Sequence, residues 1–436
     1  MQFNIVTLFP EFFDSPLSAG LMQRARDAGI VSFALYNPRD KATDAHRAVD
    51  DRPYGGGPGM VLLAGPLADT LSDIGFSGAA RRPGRRLISL SPKGRPLTQA
   101  VARELAGAEA ITLVCGRYEG MDARLEELFP MEAVSVGDFV LNGGETAALC
   151  LIEAVGRLLP GFMGHEESGD DESFSHGLLE YPHYTRPEEF RGLRTPDVLR
   201  SGDHGRIAAW RRMASLETTA LHRPELLAEA ELTEEDAVFL RQVPMPRVGR
   251  NLYCGLVHYP VLDKQKNSTA VSLTNLDIHD IARSSCTYGL GGYYVITPLE
   301  DQRRLLEEIL GHWTQGPGKR SNPHRDEALS LVTGLESIEN AIAHVRERSG
   351  QDPLVVGTAA QFRPKGAATR GFSRITQALQ ERPVLLLFGT GHGLAPEAAA
   401  LCHCFAPPLR WHGGYNHLSV RAAAAIILDR ILGDWR

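Results

Sequence analysis

Five short apolar runs in the first 165 residues constrain the fold most strongly. They lie at residues 3–8, 31–35, 87–90, 111–115 and 133–136. Helical patterns separate them, and each of the later runs ends in a loop rich in turn-forming residues. Buried strands that alternate with helices form a parallel sheet, and ligands bind at the loops beyond the carboxyl ends of its strands. The sequence therefore predicts an α/β domain with a ligand site at one edge of its sheet.

Four loops in the same half have sequences that suit ligand binding better than core packing. Residues 49–60 read VDDRPYGGGPGM, in which glycine, proline and two adjacent aspartates leave little to bury. We interpret this run as a ligand-facing backbone loop. The other three loops read CGRYEG at 115–120, VGDFVLNGGE at 136–145 and DESFSHGLL at 171–179.

Composition excludes several classes of protein. With 436 residues, 43% of them hydrophobic and 23% charged, the chain is too long for one core and predicts two or three globular domains. No stretch approaches the roughly 20 apolar residues of a membrane span, so we expect a cytoplasmic protein with no membrane partner. Six scattered cysteines fit a reducing compartment. Cys402, His403 and Cys404 with His412 match no standard zinc spacing, so no metal ligands are predicted.

Charge is distributed unevenly along the chain. Formal net charge is −7, with −11 over residues 1–245 and +4 over residues 246–436. A nucleic-acid-binding protein with an acidic half must concentrate its basic contacts locally. Residues 81–86 with Lys93 and Arg95 form one such cluster. Taken alone, this cluster fits a solvated surface loop better than an RNA contact.

Changes in composition indicate where domains begin and end. An apolar helix over 147–159 ends at a Pro-Gly pair, and the acidic stretch 161–175 is typical of a mobile connector. A helical domain follows, in which Ser201 or Asp203 is a candidate helix cap. The sequence Pro-Met-Pro at 244–246 marks a second boundary. The predicted segments are residues 1–165, a linker over 166–176, a helical domain over 177–243 and a second α/β domain over 251–436.

The last segment repeats the first in outline. A strand pattern at 252–259 opens it, and apolar runs at 353–358 and 383–388 follow. Glycine loops come after the later runs, and residues 413–417 precede a long apolar helix that ends at Leu432. Because few residues are identical, shared ancestry of the two segments is only a hypothesis.

Residues 1–243 resemble the bacterial tRNA (guanine-N1)-methyltransferases called TrmD, of the knotted SPOUT superfamily. The matching segments occur in the family's order, at 50–60, 90–94, 115–120, 135–145 and 183–187. The resemblance implies a trefoil-knotted parallel sheet over 1–165, a rare exception to the rule that connections do not thread loops. It also implies a homodimer whose active sites draw on both chains and methylate N1 of guanine 37 in tRNA.

By the same resemblance, S-adenosylmethionine would bind in the knot. Glycine loops allow backbone groups to approach an adenine closely because no side chain intervenes. The residues implied to bind the cofactor are Leu90, Ser91, Pro92, Gly116, Tyr118, Gly120, Ser135, Val136, Gly137, Phe139, Leu141, Gly143 and Gly144.

The reaction needs a base and a cation. Guanine N1 carries a proton at neutral pH, and negative charge develops on O6 as the methyl group arrives. The resemblance places Arg157 at the family's catalytic arginine and Glu119 where the family positions guanine or Mg²⁺. The family's base lies in Asp-Ser-Phe, whereas this chain has Glu172-Ser-Phe preceded by Asp171. Glu172 is the preferred base, with Asp171 as the alternative.

Residues 177–243 would bind the anticodon arm of tRNA in this interpretation. RNA loops are recognised through stacked bases and phosphates, which suits arginine and aromatic side chains. Acidic residues are almost as numerous here, so composition alone fits a solvated helical face equally well. The candidate side chains are His183, Tyr184, Arg186, Arg191, Arg194, Arg200, Arg206, Trp210, Arg211 and Arg212.

Residues 251–436 resemble a less characterised group of SPOUT-like RNA methyltransferase domains. The matching motifs are Gly-Thr at 357–358, FGTGHGL at 388–394 and YNHLSVR at 415–421. The resemblance implies a second S-adenosylmethionine-dependent domain, whose RNA target the sequence does not reveal. The alternative for the chain is a non-catalytic tRNA-binding module that retains cofactor binding, motivated by Glu172 and the acidic first half.

Overall fold

The computed structural model describes most of the chain. The described residues are 1–78, 80, 82–163, 172–243, 248–316, 319, 322–360, 368–410 and 415–433. They form two compact units, Met1–Glu180 (unit 1) and Tyr181–Arg436 (unit 2). Within the described ranges, no helix is long and apolar enough to cross a membrane.

Unit 1 is built on a five-stranded parallel sheet with the strand order β2-β1-β6-β5-β7. All five predicted apolar runs form its strands, so the prediction of a parallel α/β domain is confirmed. A two-stranded hairpin, β3 with β4, was not predicted. The strands are β1 Gln2–Val6, β2 Ser32–Tyr36, β3 Asp50–Asp51, β4 Val61–Leu62, β5 Arg85–Pro96, β6 Ala110–Cys115 and β7 Met131–Ser135.

Helices cover both faces of this sheet. Every residue of the central strand β6 is buried, as expected for a parallel strand between two helical layers. Ile111 and Leu113 belong to one hydrophobic cluster and Val114 to the other, because successive side chains of a strand point to opposite faces. The helices are α1 Gly20–Asp27, α2 Ala64–Asp73, α3 Gln99–Ala106, α4 Arg124–Leu128 and α5 Glu145–Gly156, with 3₁₀ turns at Pro10–Phe13, Pro16–Ser18 and Pro38–Lys41.

Two local features differ from the sequence prediction. Helix α5 was expected over 147–159 but begins at Glu145 and ends at Gly156, and Arg157 is its C-cap residue. Strand β5 pairs with β7 up to Leu90 and again from Arg95, with a register shift between them. Gly94 lies so close to the backbone of Ala133 and Val134 in β7 that a Cβ atom has no room there. The residues between the two paired stretches therefore bulge out at the carboxyl edge of the sheet.

Unit 2 begins with a small helical segment. Its elements are β8 Glu189–Phe190, β9 Leu193–Arg194, α6 His204–His222 and α7 Glu234–Leu240, with 3₁₀ turns at Asp197–Arg200, Pro224–Ala228 and Val248–Asn251. The Asp203 side chain accepts a hydrogen bond from the backbone N of Arg206 at 3.1 Å, so Asp203 and not Ser201 caps α6. The Pro-Met-Pro boundary falls outside the described residues.

A six-stranded parallel sheet forms the rest of unit 2, in the order β14-β13-β10-β16-β15-β17. Its strands, with those of a hairpin, are β10 Leu252–Val257, β11 Val261–Leu262, β12 Ser268–Thr269, β13 Gly292–Ile296, β14 Val332–Leu335, β15 Leu354–Gly357, β16 Val384–Gly389 and β17 Cys404–Phe405. The helices are α8 Asn275–Thr287, α9 Glu300–Thr314, α10 Pro323–Leu329, α11 Ile338–Ser349, α12 Phe372–Glu381, α13 Pro396–Ala400 and α14 Val420–Leu432.

The two sheets share one topology. Once the edge strand β14 is set aside, β13-β10-β16-β15-β17 corresponds to β2-β1-β6-β5-β7 in both spatial order and chain order. In each unit one further helix follows the last strand, α5 in unit 1 and α14 in unit 2. The predicted architectural repeat is therefore confirmed at the level of strand order.

Candidate functional site

Three loops meet at the carboxyl edge of the sheet in unit 1. They are residues 91–94, which bulge out within β5, and residues 116–120 and 136–144, which follow the adjacent strands β6 and β7; we call all three the edge loops. Gly144 N donates to Gly116 O at 2.9 Å, and Arg117 forms an antiparallel bridge with Gly143. Leu97 N donates to Ser135 O at 2.7 Å. The residues predicted to bind the cofactor all lie in these loops or in the strand residues directly before them.

The edge loop at 116–120 is a tight turn. Gly120 N donates to Arg117 O at 3.0 Å. Gly120 has a φ of +122°, where a side chain would be strained, and Tyr118 has a φ of +58°, which is uncommon for a residue other than glycine. The Tyr118 side chain is exposed as a result.

The edge loop at 136–144 presents backbone groups and apolar side chains. Gly137 N donates to Ser135 Oγ at 3.2 Å, and a Cβ on Gly137 would lie 2.5 Å from the ring of Phe139. Gly144 lies against the backbone of β6, since its Cβ would be 2.7 Å from Cys115 Cα. Phe139 and Leu141 are exposed at the tip. Such a surface suits a flat, largely apolar ring whose polar edge is read by backbone N–H and C=O groups.

Glu119 joins the edge loops to the glycine-rich loop at 49–60. Its backbone N donates to Met60 O at 3.0 Å, and Leu62 N donates to Gly120 O at 3.0 Å. A Cβ on Gly59 would lie 2.5 Å from Glu119 Oε1, so only glycine lets this carboxylate rest there. Two loops singled out from the sequence are thus in direct contact.

The two side chains predicted to carry the chemistry form an ion pair. Arg157 Nη2 contacts Glu172 Oε1, and both side chains are partly exposed. Arg157 N donates to Glu153 O at 3.2 Å, which anchors it at the end of α5. Ser173 Oγ accepts from Glu180 N at 3.0 Å, which fixes the segment after Glu172. Asp171, the alternative base, lies outside the described residues.

This pair and the edge loops lie at opposite ends of α5. Gly144 is the N-cap of the helix and Arg157 is its C-cap. At 1.5 Å per residue, the Cα atoms of these two residues are about 20 Å apart. The structure of one chain therefore brings Arg157 to Glu172 but does not bring either of them to the edge loops.

Two family models match the chain. The model for tRNA (guanine-1)-methyltransferase TrmD matches residues 1–229, and that for SAM-dependent RNA methyltransferase matches residues 251–433. The chain belongs to the TrmD family. Its second match explains why it is longer than a TrmD domain alone.

Relatives of the TrmD family differ in length. Proteins of Oleidesulfovibrio alaskensis and Nitratidesulfovibrio vulgaris are 61% and 63% identical over 434 residues, which is all of this chain and all of each relative. A protein of Geobacter sulfurreducens is 51% identical over 236 residues, which is 54% of this chain but 95% of that relative. All three are named tRNA (guanine-N(1)-)-methyltransferase.

Two of the six basic residues in the predicted cluster of this TrmD domain, Arg86 and Arg95, form ion pairs. Arg86 and Arg95 on β5 both hydrogen-bond to Glu104 on α3 and Glu132 on β7. Hydrogen bonds from the two guanidinium groups lower the pKa of Glu104 to about 2. Arg85 Nη1 donates to Ile74 O at 3.2 Å. These arginines hold the sheet together, and Arg81 lies outside the described residues.

The helical segment combines aromatic contacts with internal ion pairs. Tyr184 lies edge-on to Trp210 with ring centres 6.2 Å apart, and the guanidinium of Arg211 stacks over Tyr181 at 4.8 Å. Arg212 pairs with the buried Asp236, whose pKa it lowers. Arg194 and Arg200 also pair with nearby carboxylates. Three of the seven arginines predicted to contact phosphates therefore have acidic partners within unit 2.

Unit 2 contains a second copy of the tight turn. Gly391 has a φ of +58° and Gly393 a φ of +104°, as at Tyr118 and Gly120. Gly393 N donates to Thr390 O at 3.0 Å, the equivalent of the bond from Gly120 to Arg117. Leu262 N donates to Gly393 O at 2.9 Å, as Leu62 N does to Gly120 O.

The surroundings of Cys402 and His403 in unit 2 indicate a structural role for both residues. His403 Nδ1 accepts from Val355 N at 3.0 Å, and burial raises the pKa of the Cys402 thiol to about 12. Among the described residues, no group of three or more His, Cys, Asp or Glu side chains is arranged to hold a metal ion. His412 lies outside those residues.

Two charged residues of the TrmD domain escaped the sequence prediction. Arg117 and Glu145 both occur in the glycine-loop motifs, but neither had been given a role. The structure places them in contact between two edge loops, with Nη2 of Arg117 2.9 Å from Oε2 of Glu145. The sequence gives little indication of this ion pair, because the two residues lie 28 positions apart in different motifs.

Proposed function

We propose that residues 1–243 transfer the methyl group of S-adenosylmethionine to N1 of guanine 37 in tRNA. The ion pair of Arg157 with Glu172 carries this proposal, because it joins one cation and one carboxylate as the reaction requires. Glu172 accepts the N1 proton as the new N1–methyl bond forms and the sulfur–methyl bond breaks. Arg157 stabilises the negative charge that develops on O6.

The edge loops fit S-adenosylmethionine. Glycines at 137, 143 and 144 bring backbone groups close to the surface, and Phe139 and Leu141 offer apolar area for an adenine ring. The cofactor supplies an activated methyl group. The protein has to bind it, orient it and remove the acceptor's proton.

Glu119 is proposed to position the guanine. It lies on the turn between the edge loops and the glycine-rich loop. Mg²⁺ is the alternative occupant of this position. The proposed reaction gives Mg²⁺ no step, since proton removal and stabilisation of O6 are assigned to Glu172 and Arg157.

We infer that the active enzyme is a homodimer. The Cα atom of Arg157, whose side chain pairs with Glu172, lies about 20 Å from that of Gly144 along α5 of the same chain. A second chain that places its α5 end against the edge loops would complete each active site. A trefoil knot is supported by the passage of residues 143–144 directly against the backbone of residues 115–117.

The remaining segments are assigned as follows. The helical segment 177–243 holds the anticodon arm, with Tyr184, Trp210 and Arg211 as base-stacking candidates. Residues 166–176 connect it to the methyltransferase domain of residues 1–165. Residues 251–436 bind a second S-adenosylmethionine at the turn 389–393 and methylate another RNA. A cytoplasmic location follows from the tRNA substrate.

Labelled methyl transfer tests the main proposal. We expect the full-length protein to label a tRNA transcript with guanine at position 37 but not one with adenine there. Glu172→Gln should abolish that labelling, whereas the control Glu153→Gln, an exposed carboxylate on α5, should not. Cofactor binding without any labelling would support a non-catalytic tRNA-binding module instead.

A further inference from the structure

Glu145 is a charged residue in a place where charge is costly. Its side chain is about 1% exposed, and it is the first residue of α5, directly after the edge loop at 136–144. Moving an ion out of water costs several kcal/mol unless close partners compensate. The helix N-terminus favours a negative charge here, but an exposed residue would gain the same benefit. Burial of Glu145 therefore calls for a specific explanation.

The carboxylate of Glu145 joins three parts of unit 1. Thr7, which follows β1, donates its hydroxyl to Oε1 at 2.8 Å. Arg117, from the turn 116–120, approaches Oε1 with Nε at 3.2 Å and Oε2 with Nη2 at 2.9 Å. The Arg117 guanidinium also stacks over the ring of Phe9 at 4.4 Å. The hydrogen bond from Nε to Oε1 is charge-assisted, and Nη2 lies beside Oε2, which accepts no hydrogen bond among the described residues.

The glycines of the edge loop make room for this network. A Cβ on Gly143 would collide with Arg117 Nε and lie 2.5 Å from Glu145 Oε2. Gly143 is thus required for the ion pair to form, whatever the loop binds. The absence of a side chain at Gly143 is therefore required both by this network and by the predicted cofactor loop.

We propose that Thr7, Arg117 and Glu145 are positioning residues of the methyl-donor site. They hold the turn 116–120 against the loop 136–144, so that backbone groups of both loops meet the cofactor at fixed separation. None of the three side chains needs to touch the cofactor. This inference rests on the proposed assignment of the edge loops to S-adenosylmethionine.

Unit 2 has an equivalent network made of different residues. The buried Asp277 on α8 accepts a hydrogen bond from the hydroxyl of Thr274 and another from Arg421 Nη1 at 3.0 Å. Arg421 is the second residue of α14, which follows β17 as α5 follows β7. In both units a threonine, a buried carboxylate and an arginine anchor the start of this helix.

Isosteric substitutions in the full-length protein test the proposal. Thr7→Val removes one hydroxyl, Thr7→Ser restores it, and Glu145→Gln removes the charge. The readouts are the KM for S-adenosylmethionine and the KM for tRNA in guanine-37-dependent methyl transfer, which report on unit 1 alone. We expect the cofactor KM to rise about tenfold in Glu145→Gln and about threefold in Thr7→Val. It should return to the wild-type value in Thr7→Ser. The KM for tRNA should stay unchanged in all three variants.

Thr112→Val is the matched control. Thr112 is equally buried in β6 and accepts a hydrogen bond from Asn4 Nδ2 at 3.2 Å, but it lies within the sheet rather than at the edge loops. It should lower thermal stability about as much as Thr7→Val and leave the cofactor KM unchanged. Equal effects of both valine variants on KM and stability would overturn the proposal, even if Glu145→Gln failed to fold. A wild-type protein without guanine-37-dependent labelling would instead refute the proposed function.

Discussion

Arg157 and Glu172 lie 15 residues apart and neutralise each other's charge. Because this pair is about 20 Å from the edge loops of its own chain, substitution of Arg157 should spare the cofactor site. We expect Arg157→Ala to lower kcat by about 10²- to 10³-fold, since it removes the donor that we propose to face O6. The measurement is kcat for methyl transfer beside cofactor affinity. Arg124→Ala, which alters an exposed arginine paired with Asp122, is the control; a parallel fall in cofactor affinity would make Arg157 structural.

The choice between the two candidate bases is also testable at the residue scale. Glu172 contacts Arg157, so Asp171→Asn should keep nearly full activity, whereas Glu172→Gln should lose about 10²-fold or more. Glu172→Asp restores the family's carboxylate on a shorter stem and should fall between them. Single-turnover rates of the three variants give the order. The reverse order for Asp171→Asn and Glu172→Gln would assign the base to Asp171.

A buried histidine in unit 2 makes stability depend on pH. His258 follows β10, is 1% exposed, and has no hydrogen-bond partner for either ring nitrogen among the described residues. Burial lowers its pKa to about 4, while the unfolded chain titrates near 6.5. As pH falls, the unfolded state therefore binds this proton before the folded state does. The free energy of unfolding decreases by about 3 kcal/mol between pH 6.5 and pH 4 as a result.

Urea unfolding of the full chain at pH 7 and pH 5 measures this effect. The fall in unfolding free energy should be smaller in His258→Leu than in the wild type. His204→Gln, at an exposed position, should keep the wild-type dependence. An unchanged dependence in His258→Leu would mean that the pKa of His258 is the same in the folded and unfolded states, so that burial does not lower it.

At the scale of elements, the tight turn occurs twice and its glycines can be tested as a pair. Gly120 and Gly393 have φ values of +122° and +104°, and a Cβ at either position meets no atom within 4 Å. Replacement by alanine therefore acts through backbone strain, which costs on the order of 1–3 kcal/mol. We expect wild-type protein to bind two molecules of S-adenosylmethionine per chain, and Gly120→Ala or Gly393→Ala to weaken one site each.

Calorimetric titration gives the number of sites and their affinities. Gly311→Ala is the control, because Gly311 lies within α9, has open space around it and needs no positive φ. If the wild type has a single site, and only Gly120→Ala weakens it, the proposal of a cofactor site in unit 2 is wrong.

Elements with a strong pattern were predictable, and those fixed by distant contacts were not. The run 111–115 is apolar throughout, so β6 followed directly from the sequence. The hairpin of β3 with β4 is two residues long on each side and carries aspartates, so no alternation could reveal it. Arg86 and Arg95 read as a basic surface because their partner Glu132 is 46 and 37 residues away. Loop residues were recognised as a site, but the ion pair between Arg117 and Glu145 required the fold.

At the scale of the whole molecule, the compact units and the family matches divide the chain differently. The units meet after Glu180, so the helical segment belongs to unit 2, whereas the TrmD model extends to residue 229. The Geobacter sulfurreducens relative aligns over 95% of its length with 236 residues of this chain. That relative is therefore about as long as residues 1–243 of this chain.

Removal of residues 246–436 should therefore leave guanine-37 methylation largely intact. Every residue assigned to this reaction precedes residue 244, and the Geobacter sulfurreducens relative, which aligns over 95% of its length with 236 residues of this chain, has no room for a second domain of this size. We expect kcat/KM of the shortened protein to stay within about threefold of the full chain, since no proposed contact to cofactor or guanine is removed. The same truncation carrying Glu172→Gln is the inactive control. Loss of labelling by a shortened protein that remains folded and dimeric would show that the second methyltransferase domain completes the first site.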